Sequence, residues 1–436
     1  MSAPLDARLD AQARVSAAAL ARAVSATDLV HERPAFGWRL SPVPGSVLAS
    51  RVRANWDPAP DYVYHWLRDA AVAMSAAASL APADPDGWGR RFADYVAFSL
   101  ATLDAPIPGA NPLGPTAEPA ARRFLRPDAD LAALAHGPRG GKPRWGADGG
   151  ADYERWSRPQ HDGPALRLLS CLAWTDAPEG AARLMAHDAD WTLAHAAEPC
   201  IGPWEEEGEH DRHAFTLMAQ RAALRAAARA GLLAGEAVGE AVSRIDAALD
   251  ALADGADGRL RARAGTDDSD AAVVLGALLD PDAGTFGIAD PRVLATLGWL
   301  VDWSAGAFAV NRGHPAPLLG RSPADRFFGG NPWLPTTLAA AELHYRLAAR
   351  AAGTGTALPA VAALVPEASG DPARALAARG AAFLARVLDH AGEDGALPEQ
   401  VDAGSGAPTG CPDLTWSHAA LLVAAEARAA ALARLD

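Results

Sequence analysis

The sequence predicts an all-α protein whose helices close into a double ring within one domain, residues 1–436. Alanine- and leucine-rich runs place apolar side chains at helical spacing over most of the chain. Segments typical of strands are scarce, and no long polar linker divides the chain. Twelve helical segments in six consecutive pairs therefore favour a closed ring over two separate domains.

Apolar periodicity, interrupted by glycine and proline, delimits the helices in chain order. The first, over residues 5–25, alternates charged residues with alanine in an amphipathic pattern. The remaining eleven are expected at 64–80, 86–103, 163–177, 180–197, 212–231, 236–252, 268–279, 290–305, 332–351, 371–391 and 413–434. The stretch of about 105–160 is expected to be irregular, and loops of that length are usually functional or disordered.

The loops between the helices differ in composition. Those that lead into the even-numbered helices carry Trp, Arg, Asp, Glu, Gly and Pro, whereas those that follow, such as LAPADPD and WTDAPEG, are short and plain. If the helices alternate in direction, all the rich loops lie at one end of the ring. We expect the functional pocket at that end.

Charge and cysteine content exclude several classes of function. The formal net charge is −14, which opposes nucleic acid or an anionic membrane as the main partner. Cys171, Cys200 and Cys411 are far apart and lack CxxC spacing, so we expect buried free thiols and neither a disulfide framework nor a zinc site. No cofactor is indicated, and we expect a monomer.

No stretch approaches the roughly 18 consecutive apolar residues of a membrane-spanning helix. The N-terminal segment lacks the basic start and apolar centre of a secretory signal. The sequence as written predicts a cytoplasmic protein, with a periplasmic or secreted location open if a leader was removed.

The stretch WEEEGEHDRH, residues 204–213, offers three interpretations. Glutamate runs are usually solvated faces. The apolar CIGPW before this run predicts that Glu205, directly after Trp204, lies against a low-dielectric wall that suits a general acid. A metal site would use His210 and His213 with Glu207 or Glu209, but no further ligand motif supports it, and we expect no metal.

A general acid needs a second carboxylate. The loops at the expected pocket end offer Asp69, Asp162, Glu399 and Asp402. Glu399 lies in GALPEQVDAGSG, a proline-containing turn before the final helix. Two carboxyl groups on opposite sides of a pocket are what glycoside hydrolysis requires. For Asp162 and Asp413, at helix starts, the alternative is a helix cap.

Other loop residues suit sugar binding. Arg68 and Asp69 supply a charged donor and acceptor for hydroxyl groups. Four tryptophans in or beside loops offer faces on which pyranose rings can lie: Trp66, Trp156, Trp204 and Trp333.

Six motifs in order resemble the glucoamylases of glycoside hydrolase family 15. They are PDYVYHWLRDA, WSRPQHDGPALR, PWEEEG, GRSPADRFFGGNPWLPTTLAAAELHY, LPEQ and DLTWSHAALL, spread over residues 60–422. The resemblance implies an (α/α)6 barrel, in agreement with the count of twelve helices. It implies an enzyme that releases β-D-glucose from the non-reducing ends of α-1,4-linked maltooligosaccharides or soluble glucans.

The same resemblance assigns residue roles. Glu205 corresponds to the general acid and Glu399 to the general base of an inverting mechanism, whose carboxyls stand roughly 6.5–9.5 Å apart. The substrate-binding residues that it implies are Arg68, Asp69, Trp66, Trp156, Trp204, Glu206, Arg321 and Trp333.

Departures from the family pattern concern the pocket wall. Ser157 stands where many relatives have glycine, and the segment around residues 122–150 has no counterpart that we can place. Neither the β-sandwich of many bacterial members nor a starch-binding module is expected, which favours soluble oligosaccharides over starch granules. Two alternatives stay open: action on isomaltose, dextran or trehalose, and an inactive carbohydrate-binding regulatory barrel.

Overall fold

The computed structural model describes residues 4–53, 62–136, 140–206, 210–253, 257–354, 364 and 371–435. Within these ranges, regular structure is mostly helical, as predicted, and twelve α-helices have seven residues or more. The helices are α1 (Leu5–Ala23), α2 (Leu67–Ala78), α3 (Pro85–Asp104), α4 (Asp128–His136), α5 (Asp162–Leu172), α6 (Ala181–Ala194), α7 (Ala214–Arg229), α8 (Gly235–Leu252), α9 (Ala272–Ala277), α10 (Pro291–Ala307), α11 (Leu334–Thr354), α12 (Pro372–Leu388) and α13 (Thr415–Leu435).

Each predicted segment contains an observed helix, but the stretch of about 105–160 is not wholly irregular. It contains α4, whose Leu131 and Leu134 are buried against Ile107 and Ala151. Nine residues form a marginal helix in isolation, so this one depends on tertiary packing that periodicity does not reveal. The predicted helix over 268–279 is also shorter than expected, since α9 has only six residues.

Three helices begin at an Asp-Pro pair. The side chains of Asp84, Asp290 and Asp371 accept hydrogen bonds from backbone N–H groups in the first turns of α3, α10 and α12. In each case proline follows at the first helical position, where its missing N–H costs nothing. The sequence therefore determines these helix starts locally.

The strands in the described part of the chain are short and pair in three antiparallel two-stranded sheets. The pairs are β1 (His31–Arg33) with β2 (Trp38–Leu40), β3 (Tyr64–Trp66) with β4 (Arg144–Gly146), and β5 (Gln400–Val401) with β6 (Pro408–Thr409). Residues 64–66, predicted as the start of a helix, are strand β3, which leads directly into α2.

The chain forms two compact units. The first comprises Met1–Ala18, Arg212–Ala219 and Ile245–Asp436, and the second comprises Ala19–Asp211 and Gln220–Arg244. Within the first unit, α11 packs on α9, α12 and α13. Within the second, α2 packs on α3 and α5, and α6 packs on α3 and α5. The single domain inferred from sequence stays a prediction.

Cys171, Cys200 and Cys411 are buried free thiols, as predicted. Burial raises the pKa of the Cys171 thiol to about 12, with the Asp188 carboxylate adding to the shift. This thiol therefore stays protonated and unreactive at neutral pH.

None of the helices in the described ranges combines the length and hydropathy that crossing a membrane requires.

Candidate active site

Glu205 lies in a tight turn of the second unit. Its backbone N–H donates to the Gly202 carbonyl at 3.0 Å, and its φ is +63°, in the left-handed region. For a residue other than glycine this conformation costs on the order of 1–2 kcal/mol, which the surrounding contacts must offset. Backbone strain thus coincides with the predicted general acid.

Both carboxylate oxygens of Glu205 accept hydrogen bonds. Arg68 donates from Nη2 to Oε1 at 2.5 Å, and Trp156 donates from its indole Nε1 to Oε2 at 3.0 Å. The Ser157 hydroxyl donates to the Glu205 carbonyl oxygen at 3.1 Å. The Glu205 side chain is 10% exposed, so the carboxylate is held in one orientation at the edge of solvent.

Arg68, in the first turn of α2, connects Glu205 to one further acidic side chain and to an amide. Its Nη1 lies 3.2 Å from Oδ2 of Asp162 and 3.4 Å from Oε1 of Gln160. Burial by itself lowers the pKa of Arg68, but Glu205, Asp162 and Asp69 raise it overall. The arginine therefore stays charged inside the cluster.

One guanidinium is opposed here by three carboxyl groups. Burial raises the pKa of Asp69 to about 6, the Arg68 charge opposes that shift, and Glu205 and Asp162 add to it. Burial likewise raises the pKa of Asp162 above its ordinary value. The cluster thus carries more acidic groups than it can neutralise, which is frequent at catalytic sites.

Two loops are tied together beneath this cluster. Gln160 donates from Nε2 to the Gly202 carbonyl at 3.1 Å, and the Ile201 N–H donates to the Pro159 carbonyl at 2.9 Å. These bonds hold the Trp156 loop against the Glu205 turn, although 49 positions separate the two residues.

Trp66 and Trp156 meet edge to face, with ring centroids 5.2 Å apart and planes at 80°. The Arg144 guanidinium lies 4.8 Å from the Trp66 ring centroid and 4.4 Å from that of Trp156. Asp152 fixes this arginine with hydrogen bonds of 3.0 and 3.1 Å. The Arg144 guanidinium therefore fixes the positions of both indole rings.

Trp204 is half-buried and Glu206 is exposed. Both flank the Glu205 turn.

Glu399 belongs to the first unit and is 3% exposed. It directly precedes β5, and its Oε2 accepts a hydrogen bond from the Cys411 backbone N–H at 3.0 Å. A Cβ on Gly410, where φ is +67°, would lie 2.5 Å from that same oxygen. Only glycine leaves room for the carboxylate at this turn.

Arg321 and Trp333 lie near Glu399 in the same unit. The Arg321 guanidinium makes two hydrogen bonds to Asp325, one of them 2.7 Å long, and sits 5.1 Å from the Trp333 ring centroid. Burial lowers the pKa of Arg321, but Asp325 and then Glu399 raise it overall. The Trp333 ring in turn packs edge-on against Trp416, with centroids 5.7 Å apart.

The structure thus forms two clusters from the predicted site residues. Around Glu205 it assembles Arg68, Asp69, Trp66 and Trp156; around Glu399 it assembles Arg321 and Trp333.

The helix-cap interpretation of Asp162 is wrong. Asp162 is the first residue of α5, and the residue in the N-cap position is His161. The Asp162 carboxylate pairs with Arg68 instead. Asp413 accepts from the Leu397 backbone N–H at 3.3 Å and lies 2.8 Å from Nε2 of His418.

For a metal site, no group of three potential ligands occurs within the described ranges. Glu207 and Glu209, which the metal interpretation used, lie outside the described residues.

Sequence reasoning overlooked Gln160, Gly410 and Cys411, whose contacts position the two glutamates. Nothing in the sequence marks Cys411, because its contribution is a backbone N–H. Asp325 was also overlooked, because a spacing of four residues signals an ion pair only on a helix and Arg321 and Asp325 lie in a loop.

Comparison with known proteins adds independent information. The model of the family described as "Glycosyl hydrolases family 15" matches residues 141–426. A glucoamylase of Saccharomycopsis fibuligera is 25% identical, over 88% of this chain and 84% of its own length. Glucoamylase-1 of Schizophyllum commune is 27% identical, over 89% of this chain and 69% of its own length.

Solved structures agree on the fold. The glucoamylase from Saccharomycopsis fibuligera superposes with a TM-score of 0.75 at 23% identity, covering 99% of this chain and 96% of that one. The family 15 glucoamylase from Hypocrea jecorina gives 0.78 at 23% identity, covering 98% and 72%. These likenesses establish the (α/α)6-barrel fold that the sequence predicts.

Proposed function

Because this chain belongs to glycosyl hydrolases family 15, we propose that it is an inverting enzyme that releases β-D-glucose from the non-reducing ends of α-1,4-linked maltooligosaccharides. Family membership makes it a glycoside hydrolase, and its glucoamylase relatives support exo-acting release of glucose from α-glucans. The residue roles, the linkage and the inversion are our proposal.

Glu205 is the proposed general acid. Its carboxyl proton passes to the glycosidic oxygen as the bond from that oxygen to the anomeric carbon breaks. The pair of hydrogen bonds from Arg68 and Trp156 orients both carboxyl oxygens of an almost buried side chain, and it stabilises the carboxylate that remains once the proton has been transferred. A general acid contributes only when its proton is aimed at the leaving atom.

Glu399 is the proposed general base. It takes a proton from a water molecule whose oxygen attacks the anomeric carbon from the opposite face. This geometry requires carboxyl groups roughly 6.5–9.5 Å apart, which leaves room for the water. The Cys411 N–H holds one oxygen of Glu399, and Arg321 supplies a nearby positive charge.

Arg68 and Asp69 are the proposed grip on the hydroxyl groups of the terminal glucose. The arrangement also suits the transition state, in which positive charge develops on the sugar ring. Among the described residues, Asp69 and Asp162 face the Arg68 guanidinium, and Glu205 adds a further negative charge as its proton leaves. Preorganised charge opposite in sign to that on the sugar ring stabilises such a transition state. The rings of Trp66 and Trp156 supply the apolar wall.

The proposal is tested by the anomer first released from maltotriose, followed by proton NMR during the early reaction. We expect β-glucose from the parent protein and a loss of about 10²–10⁴ in rate in both Glu205→Gln and Glu399→Gln. α-Glucose as first product would overturn inversion, and full activity in either variant would overturn its assigned role.

Substrate comparison addresses the alternatives. We expect kcat/KM to be higher for maltose than for isomaltose or trehalose. Faster hydrolysis of isomaltose or trehalose would show that the enzyme prefers a linkage other than α-1,4. Oligosaccharide binding without hydrolysis would indicate a regulatory barrel.

We further propose that residues 1–436 act as one catalytic domain and a monomer. A single cooperative unfolding transition and a solution mass near 45.0 kDa are the expected results. Two transitions, or a mass twice as large, would contradict this organisation.

A further inference from the structure

A cavity of about 850 Å³ lies in the second unit beside the proposed acid. Of the predicted site residues only Trp156 is among its described lining, so it is distinct from the cluster around Arg68. Trp156 connects the two, because its indole N–H donates to Glu205. Part of the lining, from Arg126 to Leu134, precedes the family match, which begins at residue 141.

The lining carries a surplus of positive charge. Its permanently charged groups are Arg126, Lys142, Arg155 and Arg158 against Asp130 and Glu198, and Arg126 is ion-paired with Asp152, which is not among the described lining. Without Arg126, the described lining still has one more positive than negative charge, in a chain with a net charge of −14. Lys142 is also the only lysine in the sequence.

Two of these guanidinium groups have no carboxylate partner within the described ranges. Arg155 is exposed and forms no ion pair there, and Arg158 donates only to the Asp130 carbonyl, at 3.5 Å. Burial lowers the pKa of Arg158 and the neighbouring Arg126 lowers it further, while Asp130 and Asp152 partly oppose the shift. A bound anion would relieve that repulsion.

A buried polar atom also lines the cavity. His161 is 4% exposed, and its Nδ1 has no hydrogen-bond partner among the described residues. Its ring lies 4.9 Å from that of His195, which stacks on Trp191 at 3.9 Å. The wall therefore combines a hydrogen-bonding nitrogen with aromatic rings.

We propose that this cavity binds a phosphate ester of glucose. Arg155 and Arg158 pair with the phosphate, Lys142 adds charge, and the aromatic wall takes the sugar. Arg155 and Arg158, which form no ion pair in the described ranges, supply two positive charges for a phosphate dianion, and guanidinium groups engage phosphate through paired hydrogen bonds. The volume exceeds what inorganic phosphate alone would fill.

The test uses the single lysine. Biosynthetic ¹³C-lysine labelling gives one lysine spin system, that of Lys142, and glucose 6-phosphate is titrated against it in NMR spectra. We expect a saturable shift at concentrations where glucose and inorganic phosphate cause little change. The readout is binding alone, so it succeeds or fails independently of the proposed hydrolase activity.

Two arginine variants sharpen the titration. Arg155→Gln removes an exposed cavity cation and is expected to weaken glucose 6-phosphate binding about tenfold. Arg123→Gln, an exposed arginine outside the cavity lining, is the matched control and should bind like the parent. No saturable shift, equal affinity for glucose, or tighter binding of neutral maltotriose would each overturn the proposal, as would parental affinity in Arg155→Gln.

The phosphate ester has two possible sources, a free sugar phosphate or a phosphorylated α-glucan. An altered kcat/KM for maltotriose in the presence of glucose 6-phosphate, absent in Arg155→Gln, supports a free effector. A higher kcat/KM for a 6-phosphorylated maltooligosaccharide than for its neutral counterpart supports a phosphorylated glucan.

Discussion

The indole N–H of Trp156 donates to Oε2 of Glu205 at 3.0 Å, across 49 positions of sequence. With Arg68 on the other oxygen, neither end of the carboxylate is free to rotate. The catalytic competence of Glu205 therefore depends on side chains that do not themselves exchange protons with substrate. This dependence can be measured.

Trp156→Phe keeps an aromatic ring and removes the donor to Glu205. We expect kcat on maltotriose to fall about tenfold, which corresponds to the loss of one hydrogen bond to a charged group. Trp174→Phe is the matched control, since it also loses an indole hydrogen bond, to the Met74 carbonyl at 3.2 Å, within the same unit. Equal effects in the two variants would show that the Trp156 bond has no special role.

Glu205→Gln and Glu399→Gln should differ on a substrate whose leaving group needs no proton. With α-glucosyl fluoride we expect Glu205→Gln to keep most of the parental rate, while Glu399→Gln stays slow by about 10²–10⁴ because activation of water is still required. Fluoride release measures both rates.

The exposed Glu236 on α8 provides a control for the glutamine substitutions. Glu236→Gln should leave both substrates unaffected. The reverse pattern, with Glu205→Gln slow and Glu399→Gln fast on the fluoride, would exchange the two assigned roles.

Asp69 should limit stability at neutral pH. Its pKa in the folded chain is about 6, against an ordinary value of 3.8, so the folded state binds this proton more tightly than the unfolded state. Ionisation therefore costs folding free energy, increasingly from pH 4 to 6 and fully above pH 6. Asp69→Asn should gain roughly 3 kcal/mol at most above pH 6, and nothing below pH 4.

Urea unfolding at several pH values measures this gain, with Asp10→Asn, an exposed residue of α1, as control. We expect Asp69→Asn to lose hydrolysis despite its stability, because the charged acceptor for sugar hydroxyls is gone. If the difference in unfolding free energy between Asp69→Asn and the parent does not change with pH, burial of the Asp69 carboxylate does not raise its pKa.

Gly410→Ala should disturb Glu399 directly. The new Cβ would lie 2.5 Å from Glu399 Oε2, at a φ of +67°. Gly231→Ala imposes nearly the same backbone strain, at a φ of +72°, with no atom within 4 Å. Gly231→Ala should lose about 1 kcal/mol of stability from this backbone strain, and Gly410→Ala at least as much because of the added contact. We expect kcat to fall in Gly410→Ala and not in Gly231→Ala. Similar kcat values in the two variants would show that Gly410 does not affect the position of the Glu399 carboxylate.

Helix positions were predictable because their signals are local. Apolar periodicity located twelve segments, and Asp-Pro pairs such as Asp290 with Pro291 mark starts within a few residues. By contrast α4 was overlooked, since its nine residues are stabilised by burial of Leu131 among residues distant in sequence.

By itself the sequence determined the helical class, the family and the residues capable of acid and base chemistry. Helical periodicity and family motifs involve residues close together in the chain, so they can be recognised without the tertiary structure. Only the tertiary structure decided that Asp162 pairs with Arg68 across 94 positions, and that a backbone N–H of Cys411 holds Glu399. Such contacts depend on which loops meet after the helices pack. The charge balance around Arg68, and the basic cavity behind Trp156, follow from that packing.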